Sequence, residues 1–203
     1  MTRWERQREA WARWAGDYDA RTAGVERRFL GPTRPWVCGR AVGDVLEVAV
    51  GTGANLPHYP AGVRLTAVDL DEAMLAKART RASELGLAVD LGVADAMALP
   101  FDDASFDTVV CTYALCGVPD VRGALAEFLR VLRPGGKLLL ADHVASSSAV
   151  VRLLQRGLEA VTAPRMGEYW TRRPLLVLAD MGVPAVETHR RHIGVIECVE
   201  AQA

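Results

Sequence analysis

Apolar residues fall into short runs separated by stretches of helical periodicity over most of this chain. Residues 72–85 and 121–132 place apolar side chains on one face of a helix, and a further helix is expected to begin near Asn55. Strands that alternate with helices predict an α/β fold with a parallel sheet wound on both faces. The apolar runs that predict these strands are 44–49, 63–69, 89–93, 107–112 and 137–142.

The two ends of the chain carry different patterns. Residues 3–14 predict an amphipathic helix that contains Trp4, Trp11 and Trp14, followed by a second helical stretch to about Leu30. Two closing runs are close enough to form a hairpin, which would place one antiparallel strand in the sheet. The elements expected after the fifth strand are a helix near 148–163, an aromatic loop at 166–170, a helix at 174–181 and strands at about 185–190 and 194–200.

Length and charge favour one folded domain. At 203 residues, 50% of them hydrophobic, the chain can bury a sizeable core. A net charge of −1 gives no basic surface for DNA or RNA, so we expect no nucleic acid partner. We expect one domain, 1–203, with an N-terminal helical lid (1–30), a cofactor-binding core (40–145), a substrate-side helix and loop (146–172), and a C-terminal helix and hairpin (173–203).

Cysteine and histidine usage bears on metals and on location. Cys38, Cys111, Cys116 and Cys198 form no disulfide framework, and the histidines add no zinc spacing to them. We therefore expect no metal ion and a reducing, cytoplasmic location. The first residues lack the apolar middle of a signal peptide, and no apolar run approaches the roughly 20 residues that span a bilayer. No transmembrane segment is expected.

The most informative motif follows the first predicted strand. Gly51-Thr52-Gly53 forms a turn where glycine admits positive φ and close approach of a ligand. Asp69 ends the second strand, where a carboxylate can accept both hydroxyls of a ribose. A dinucleotide fold would need a third glycine at the position of Leu56, so a dinucleotide cofactor is disfavoured.

With Glu47 before the turn and the segments DAMALPF (95–101), SFDTVV (105–110) and RVLRPGG (130–136), the chain resembles the class I S-adenosylmethionine (SAM) dependent methyltransferases of the type 11 kind. The resemblance is tight over about 40–145. It implies a Rossmann-like, doubly wound, seven-stranded sheet, mostly parallel with an antiparallel C-terminal strand, and SAM as cofactor. Ala49 stands where the family's first glycine usually lies.

The resemblance also implies which residues contact SAM. Glu47 and the loop would surround the methionyl and ribose groups, Asp69 the ribose, and Asp95 the adenine amine. Cys111 and Thr112 would lie under the sulfonium. The full set implied for the cofactor is Tyr18, Glu47, Ala49, Gly51, Thr52, Gly53, Asp69, Leu70, Met74, Asp95, Ala96, Cys111 and Thr112.

The acceptor is predicted to be a small apolar or aromatic molecule that offers a thiol, a hydroxyl or a ring carbon. His143 is the one histidine placed to accept a proton from it, with a structural role as the alternative reading. The residues expected to contact the acceptor are Tyr113, Cys116, Tyr169 and Trp170.

Three groups of enzymes within the family remain open at this point. GTGANLPHYP (51–60) and DHV (142–144) resemble the methyltransferase-like alkyl thiol methyltransferases, with the quinone and phosphatidylethanolamine methyltransferases close by. A catalytically inactive SAM-binding or scaffolding protein is the alternative of another class.

Overall fold

The computed structural model describes residues 17–203. Within them the strands are β1 (Asp44–Val48), β2 (Arg64–Asp69), β3 (Val89–Val93), β4 (Phe106–Thr112), β5 (Leu132–His143), β6 (Ala185–Arg191) and β7 (Ile196–Gln202). They form one sheet in the order β3-β2-β1-β4-β5-β7-β6. Strands β1 to β5 pair in parallel, and β7 runs antiparallel to both β5 and β6. The predicted fold class, with its antiparallel C-terminal strand, is confirmed.

The helices that follow β2 and β4, α3 (Glu72–Glu84) and α4 (Val121–Val131), lie where the periodicity predicted them. Asp71 caps α3, since its side chain accepts from the backbone N–H groups of Ala73 at 2.7 Å and Met74 at 3.3 Å. The helices are α1 (Tyr18–Val25), α2 (Arg34–Cys38), α3 (Glu72–Glu84), α4 (Val121–Val131), α5 (Ala149–Met166) and α6 (Pro174–Asp180).

The core lies on both faces of the sheet. Leu138 and Leu140 of β5 pack with Phe128 of α4, whereas Leu139 between them packs with Leu75 of α3. Alternate residues of a strand point to opposite faces, so α3 and α4 cover opposite sides. The carboxyl ends of β1, β2, β4 and β5 meet at one edge, and the chain reverses its winding direction between β1 and β4. Ligands of open α/β sheets bind at such a point.

One expected helix is absent from residues 17–203, and the second helical stretch to about Leu30 is present with a change of helix type. The helix expected near Asn55 is wrong, because only a single 3₁₀ turn forms at Leu56–His58. Pro57 has no N–H to continue a helix, and Pro60 disfavours the helical region for the residue before it. The second helical stretch continues past α1 as a π turn at Glu26–Leu30 and a 3₁₀ turn at Gly31–Thr33.

Two further expectations concern the predicted N-terminal helix and membrane-spanning helices. The tryptophan-containing helix predicted at 3–14 lies outside the described residues. Within residues 17–203, no helix is both long and apolar enough to cross a bilayer.

Candidate cofactor and acceptor site

The loop after β1 takes a left-handed course at three positions. Ala49, Gly51 and Gly53 have φ of 60°, 56° and 81°. A Cβ at Gly53 would lie 2.8 Å from the Leu56 side chain, so glycine is required there. A Cβ at Gly51 would meet nothing within 4 Å, which means that open space adjoins the loop at this residue. Ala49 tolerates a conformation that costs an alanine roughly 1–2 kcal/mol.

Asp69, at the end of β2, connects this loop to the next one. Its Oδ2 accepts from the Gly51 N–H at 2.8 Å, and its Oδ1 accepts from the Asp71 N–H at 3.0 Å. Burial raises the pKa of Asp69 despite these two bonds. Each carboxylate oxygen has a second lone pair, so both can still accept from a hydroxyl group.

Glu47 lies fully buried on β1 beneath the loop. Its oxygens accept from Asn55 Nδ2 at 2.8 Å and from the Tyr59 hydroxyl at 2.9 Å. Burial raises the pKa of Glu47 to about 7, even though these bonds and the charge of Arg34 oppose the rise. Glu47 therefore holds the far side of the loop through two side chains, which is a positioning role.

Arg34, the first residue of α2, joins this buried set to the N-terminal segment. Its guanidinium makes a bidentate pair with Glu26, at 2.6 and 2.8 Å, and donates to Asn55 Oδ1 at 2.7 Å. Arg34 Nη1 also lies 3.2 Å from Thr112 Oγ1. The pKa of Arg34 is raised, because Glu26 outweighs the burial that would lower it. We call Glu26, Arg34, Glu47, Asn55, Tyr59 and Thr112 the buried polar network.

Residues N-terminal to α2 also contact the loop after β1. Thr52 Oγ1 donates to Asp19 Oδ1 at 2.7 Å, and Arg81 of α3 donates to the other oxygen of Asp19 at 2.9 Å. Tyr18, the first residue of α1, is half-buried. Burial raises its pKa, and the charge of Arg34 opposes that rise.

The side chains implied for the adenine lie along β2, α3 and the end of β3. Met74 is buried against the sheet, and Leu70 and Ala96 are half-buried. Asp95 Oδ1 accepts from the Met97 N–H at 2.9 Å, which closes a tight turn after β3. Cys111 is buried at the tip of β4, and burial raises its pKa well above the ordinary value, with Asp142, Glu47 and Asp69 adding to the rise.

His143, the last residue of β5, lies against two residues of the loop after α5. Its Nε2 lies 3.7 Å from Glu168 Oε1, and its ring stacks on Trp170 with centroids 4.3 Å apart. Among residues 17–203, its buried Nδ1 has no hydrogen-bond partner. Burial alone would lower the pKa of His143, but the Glu168 and Asp142 carboxylates outweigh it and the pKa is raised. A ring with one nitrogen near a carboxylate and the other unengaged can take up a proton.

Cys116, Asp142 and His143 offer ligand atoms that all lie within 4.8 Å of one another. Both oxygens of Asp142 already accept backbone N–H bonds, from Cys116 at 3.1 Å and His143 at 2.8 Å. Burial raises the pKa of Cys116 well above its ordinary value, and Asp142 and Glu168 raise it further. The Asp142 carboxylate thus holds the loop of Cys116 and the end of β5 together beside the His143 ring.

The remaining predicted acceptor residues are anchored by backbone bonds. Tyr113 has φ of 56°, and its hydroxyl contacts Thr33 and donates to the Leu30 carbonyl at 3.2 Å. Tyr169 donates its N–H to the Cys116 carbonyl at 3.0 Å, and the Arg172 guanidinium lies 3.8 Å from the centre of its ring. Two loops, 113–118 and 167–172, are thereby joined beside His143.

Sequence reasoning missed the charged residues that organise the site. Arg34 and Glu26 carry no motif, and Glu168 lies in the predicted aromatic loop without having been singled out. Asn55 lies in the segment GTGANLPHYP, but its inward contact with Glu47 was not foreseen. An arginine between two prolines, at 32 and 35, was the one available signal, and the structure shows that it is buried. Charged residues are almost never buried unless they are paired.

Comparison with known proteins agrees with this geometry. Residues 46–140 match the family described as a methyltransferase domain. The phosphatidylethanolamine N-methyltransferase of Cereibacter sphaeroides is 38% identical over 118 residues, which cover 57% of this chain and 58% of that protein. The ubiquinone/menaquinone biosynthesis C-methyltransferase of Paracoccus denitrificans is 35% identical over 157 residues, 74% of this chain and 62% of that protein.

A solved structure extends the likeness over nearly the whole chain. A SAM-dependent methyltransferase from Thermotoga maritima superposes with a TM-score of 0.72 at 21% identity, covering 97% of this chain and 99% of that one. The chain spans about half to three-fifths of the length of the curated relatives it matches. Residues 46–140 thus match a methyltransferase domain family, and the chain as a whole shares the fold of a SAM-dependent methyltransferase.

Proposed function

We propose that this protein transfers a methyl group from SAM to a small apolar or aromatic acceptor. The observation that carries the proposal is the surroundings of Cys111. Cys111 of β4 pairs in the sheet with Val48 of β1 and Leu140 of β5. Glu47, Asp69 and Asp142 lie within two residues of this level on β1, β2 and β5, so three carboxylates lie near one strand tip. A sulfonium is a cation, and a buried group of carboxylates is suited to hold one.

The residues present fit SAM on two counts. The open space beside Gly51 leaves room for the cofactor to lie against the backbone of the loop. Asp69 has lone pairs left that can accept from two ribose hydroxyls. In this proposal Leu70 and Met74 pack against the adenine, and Asp95 and Ala96 bond its edge. Thr52, Gly53 and Ala49 shape the loop, while Tyr18 covers it. SAM supplies a methyl group on a cationic sulfur for in-line displacement.

The protein aligns the acceptor and handles its proton. His143 would take the proton that the acceptor loses on methylation. Glu168 stabilises the resulting imidazolium, and Trp170 fixes the ring plane. Trp170 is itself held by an Nε1 bond to Thr162 Oγ1 at 3.1 Å. Tyr113, Cys116 and Tyr169 complete the acceptor side.

A phospholipid or quinone acceptor is the second candidate. The two curated relatives are named for phosphatidylethanolamine and for ubiquinone/menaquinone biosynthesis. An N-methyl or C-methyl product from these acceptors would distinguish this candidate from transfer to a thiol. An inactive SAM-binding or scaffolding protein would bind cofactor and yield no product with any acceptor.

Calorimetric titration tests the cofactor. SAM and its product S-adenosylhomocysteine should bind at micromolar concentrations or below, and NADH should not bind, because Leu56 and Pro57 leave no turn for a pyrophosphate. Saturable NADH binding that SAM does not displace would overturn the assignment. Mass spectrometry of a panel of thiols, phenols, quinones and phosphatidylethanolamine would then identify the acceptor.

Asp69→Ala tests the cofactor pose. The substitution removes the acceptor of two ribose hydroxyls, and a hydrogen bond to a charged group is worth about 1.5–3 kcal/mol. SAM affinity should fall about tenfold or more by calorimetry, with an unchanged far-UV circular dichroism spectrum. Asp90→Ala, the same change at an exposed position of β3, is the matched control and should leave the affinity unaltered. Equal affinities for the two variants would contradict the pose.

A further inference from the structure

Helix α5 turns two polar side chains, Gln155 and Glu159, toward the protein. Gln155 is buried, with Oε1 accepting from the Ser146 N–H at 2.8 Å and Nε2 donating to the Val144 carbonyl at 2.8 Å. One turn further on, Glu159 accepts from both the N–H and the hydroxyl of Thr171 at 2.8 Å. These bonds fix the orientation of α5 against the acceptor loops.

The opposite side of α5 is apolar and exposed. On a helical wheel, its five exposed large apolar residues fall within an arc of roughly 140°. A surface helix of a globular protein normally faces its apolar stripe to the core, so α5 is inverted. We call this set the α5 apolar face: Val150 (70% exposed), Leu153 (69%), Leu154 (68%), Leu158 (45%) and Val161 (51%).

The hairpin between β6 and β7 lies beside the N-terminal end of α5. Ile193 is 68% exposed and has φ of 57°, a conformation that a β-branched residue rarely adopts. Its carbonyl accepts from the hydroxyls of Ser146 and Ser147, at 2.6 and 2.8 Å, just before α5 begins. The structure thus holds an exposed isoleucine, against its backbone preference, beside the helix.

The charges on and near helix α5 indicate which kind of partner would cover the α5 apolar face. The helix carries Arg152, Arg156 and Arg165 against the single acid Glu159, in a chain whose net charge is −1. A second copy would bring two such basic helices together. Residues 1–16 contain four arginines and two glutamates, so that segment is basic as well. An anionic lipid surface attracts all of these arginines, and helices that lie in the membrane interface combine arginine with an apolar face.

We propose that the α5 apolar face docks on an anionic lipid bilayer, with Ile193 at one end of the contact. The loop that follows α5 carries Glu168 and Trp170, so docking would place the acceptor side next to the membrane. An apolar acceptor could then enter from the lipid phase. This last step rests on the proposed function, whereas docking itself does not.

Vesicle flotation of the full chain tests the docking. Wild-type protein should float with vesicles of mixed phosphatidylcholine and phosphatidylglycerol, more weakly at high salt, and hardly at all with phosphatidylcholine alone. The double substitution Leu154→Glu/Leu158→Glu should lower the partition coefficient at least ~10-fold. Val93→Glu changes an exposed residue of β3, at the opposite edge of the sheet, and should bind vesicles like the wild type.

Three outcomes would overturn the proposal. The first is equal vesicle binding by the α5 variant and the Val93→Glu control, or none by the wild type. The second is a wild-type dimer in light scattering that the α5 variant converts to a monomer, because a second copy would then cover the face. The third is backbone hydrogen exchange at 149–165 that is slow without vesicles and becomes fast after deletion of residues 1–16, because residues 1–16 would then cover the face. Calorimetric SAM binding, measured in parallel, reports separately on the proposed function.

Discussion

His143→Gln should lower kcat for methyl transfer to a phenol or ring-carbon acceptor by about 10²–10⁴-fold, the range that a general base contributes. The Kd for SAM should stay within about twofold of the wild type, because His143 lies on the acceptor side. A thiol that is largely ionised at the assay pH needs no base, so its turnover should fall much less. The comparison of the two acceptor types therefore reports on proton transfer.

The pH profile provides an independent readout. Since Glu168 and Asp142 raise the pKa of His143, its basic form dominates only above an apparent pKa that lies higher than the ordinary histidine value. The rate should rise with pH through that value. Glu168→Gln removes the nearer charge, so the midpoint should move to lower pH, whereas Glu84→Gln on the exposed end of α3 should leave it in place. Superimposable profiles for Glu168→Gln and wild type would contradict the pairing.

The strands were predictable because their signal is local. β1, β2, β3 and β4 begin and end within about one residue of the apolar runs, and buried parallel strands require such runs. The connection after β1 was not predictable in the same way. Its glycines suggested a following helix, yet Leu56 fills the core beneath Gly53 and Asn55 turns inward to Glu47. Those are tertiary contacts, and two prolines finish the turn.

The residues of the candidate site show the same difference between local and tertiary signals. Asp69 and His143 could be singled out because strand ends define their positions. Their partners could not, since Arg34 reaches Thr112 across 78 residues and Asn55 across 21. Glu168 lies in a loop with no periodicity, and only the packing of α5 brings it to His143. Pairings that depend on how distant segments fold together leave no local pattern.

The buried polar network makes Arg34 the residue with the largest expected effect on stability. Arg34→Met keeps the length of the side chain but leaves the Glu26 carboxylate and the Asn55 carbonyl oxygen without their donor. Breaking a buried ion pair from one side costs about 3–5 kcal/mol, and Glu26, whose side chain is 30% exposed, should hold the loss to the lower end. The midpoint of urea unfolding should fall accordingly.

Arg133→Gln is the matched control for Arg34→Met. Arg133 also contacts two carboxylates, Asp44 at 3.0 Å and Asp107 at 2.7 Å, but it lies at the surface, where water replaces a lost ion pair at little cost. Its urea midpoint should shift far less than that of Arg34→Met. SAM affinity should also fall in Arg34→Met alone, because Asn55 loses one of the bonds that hold the loop after β1. If the two variants unfolded at the same urea concentration and bound SAM equally, the buried polar network would have no special role in shaping the cofactor site.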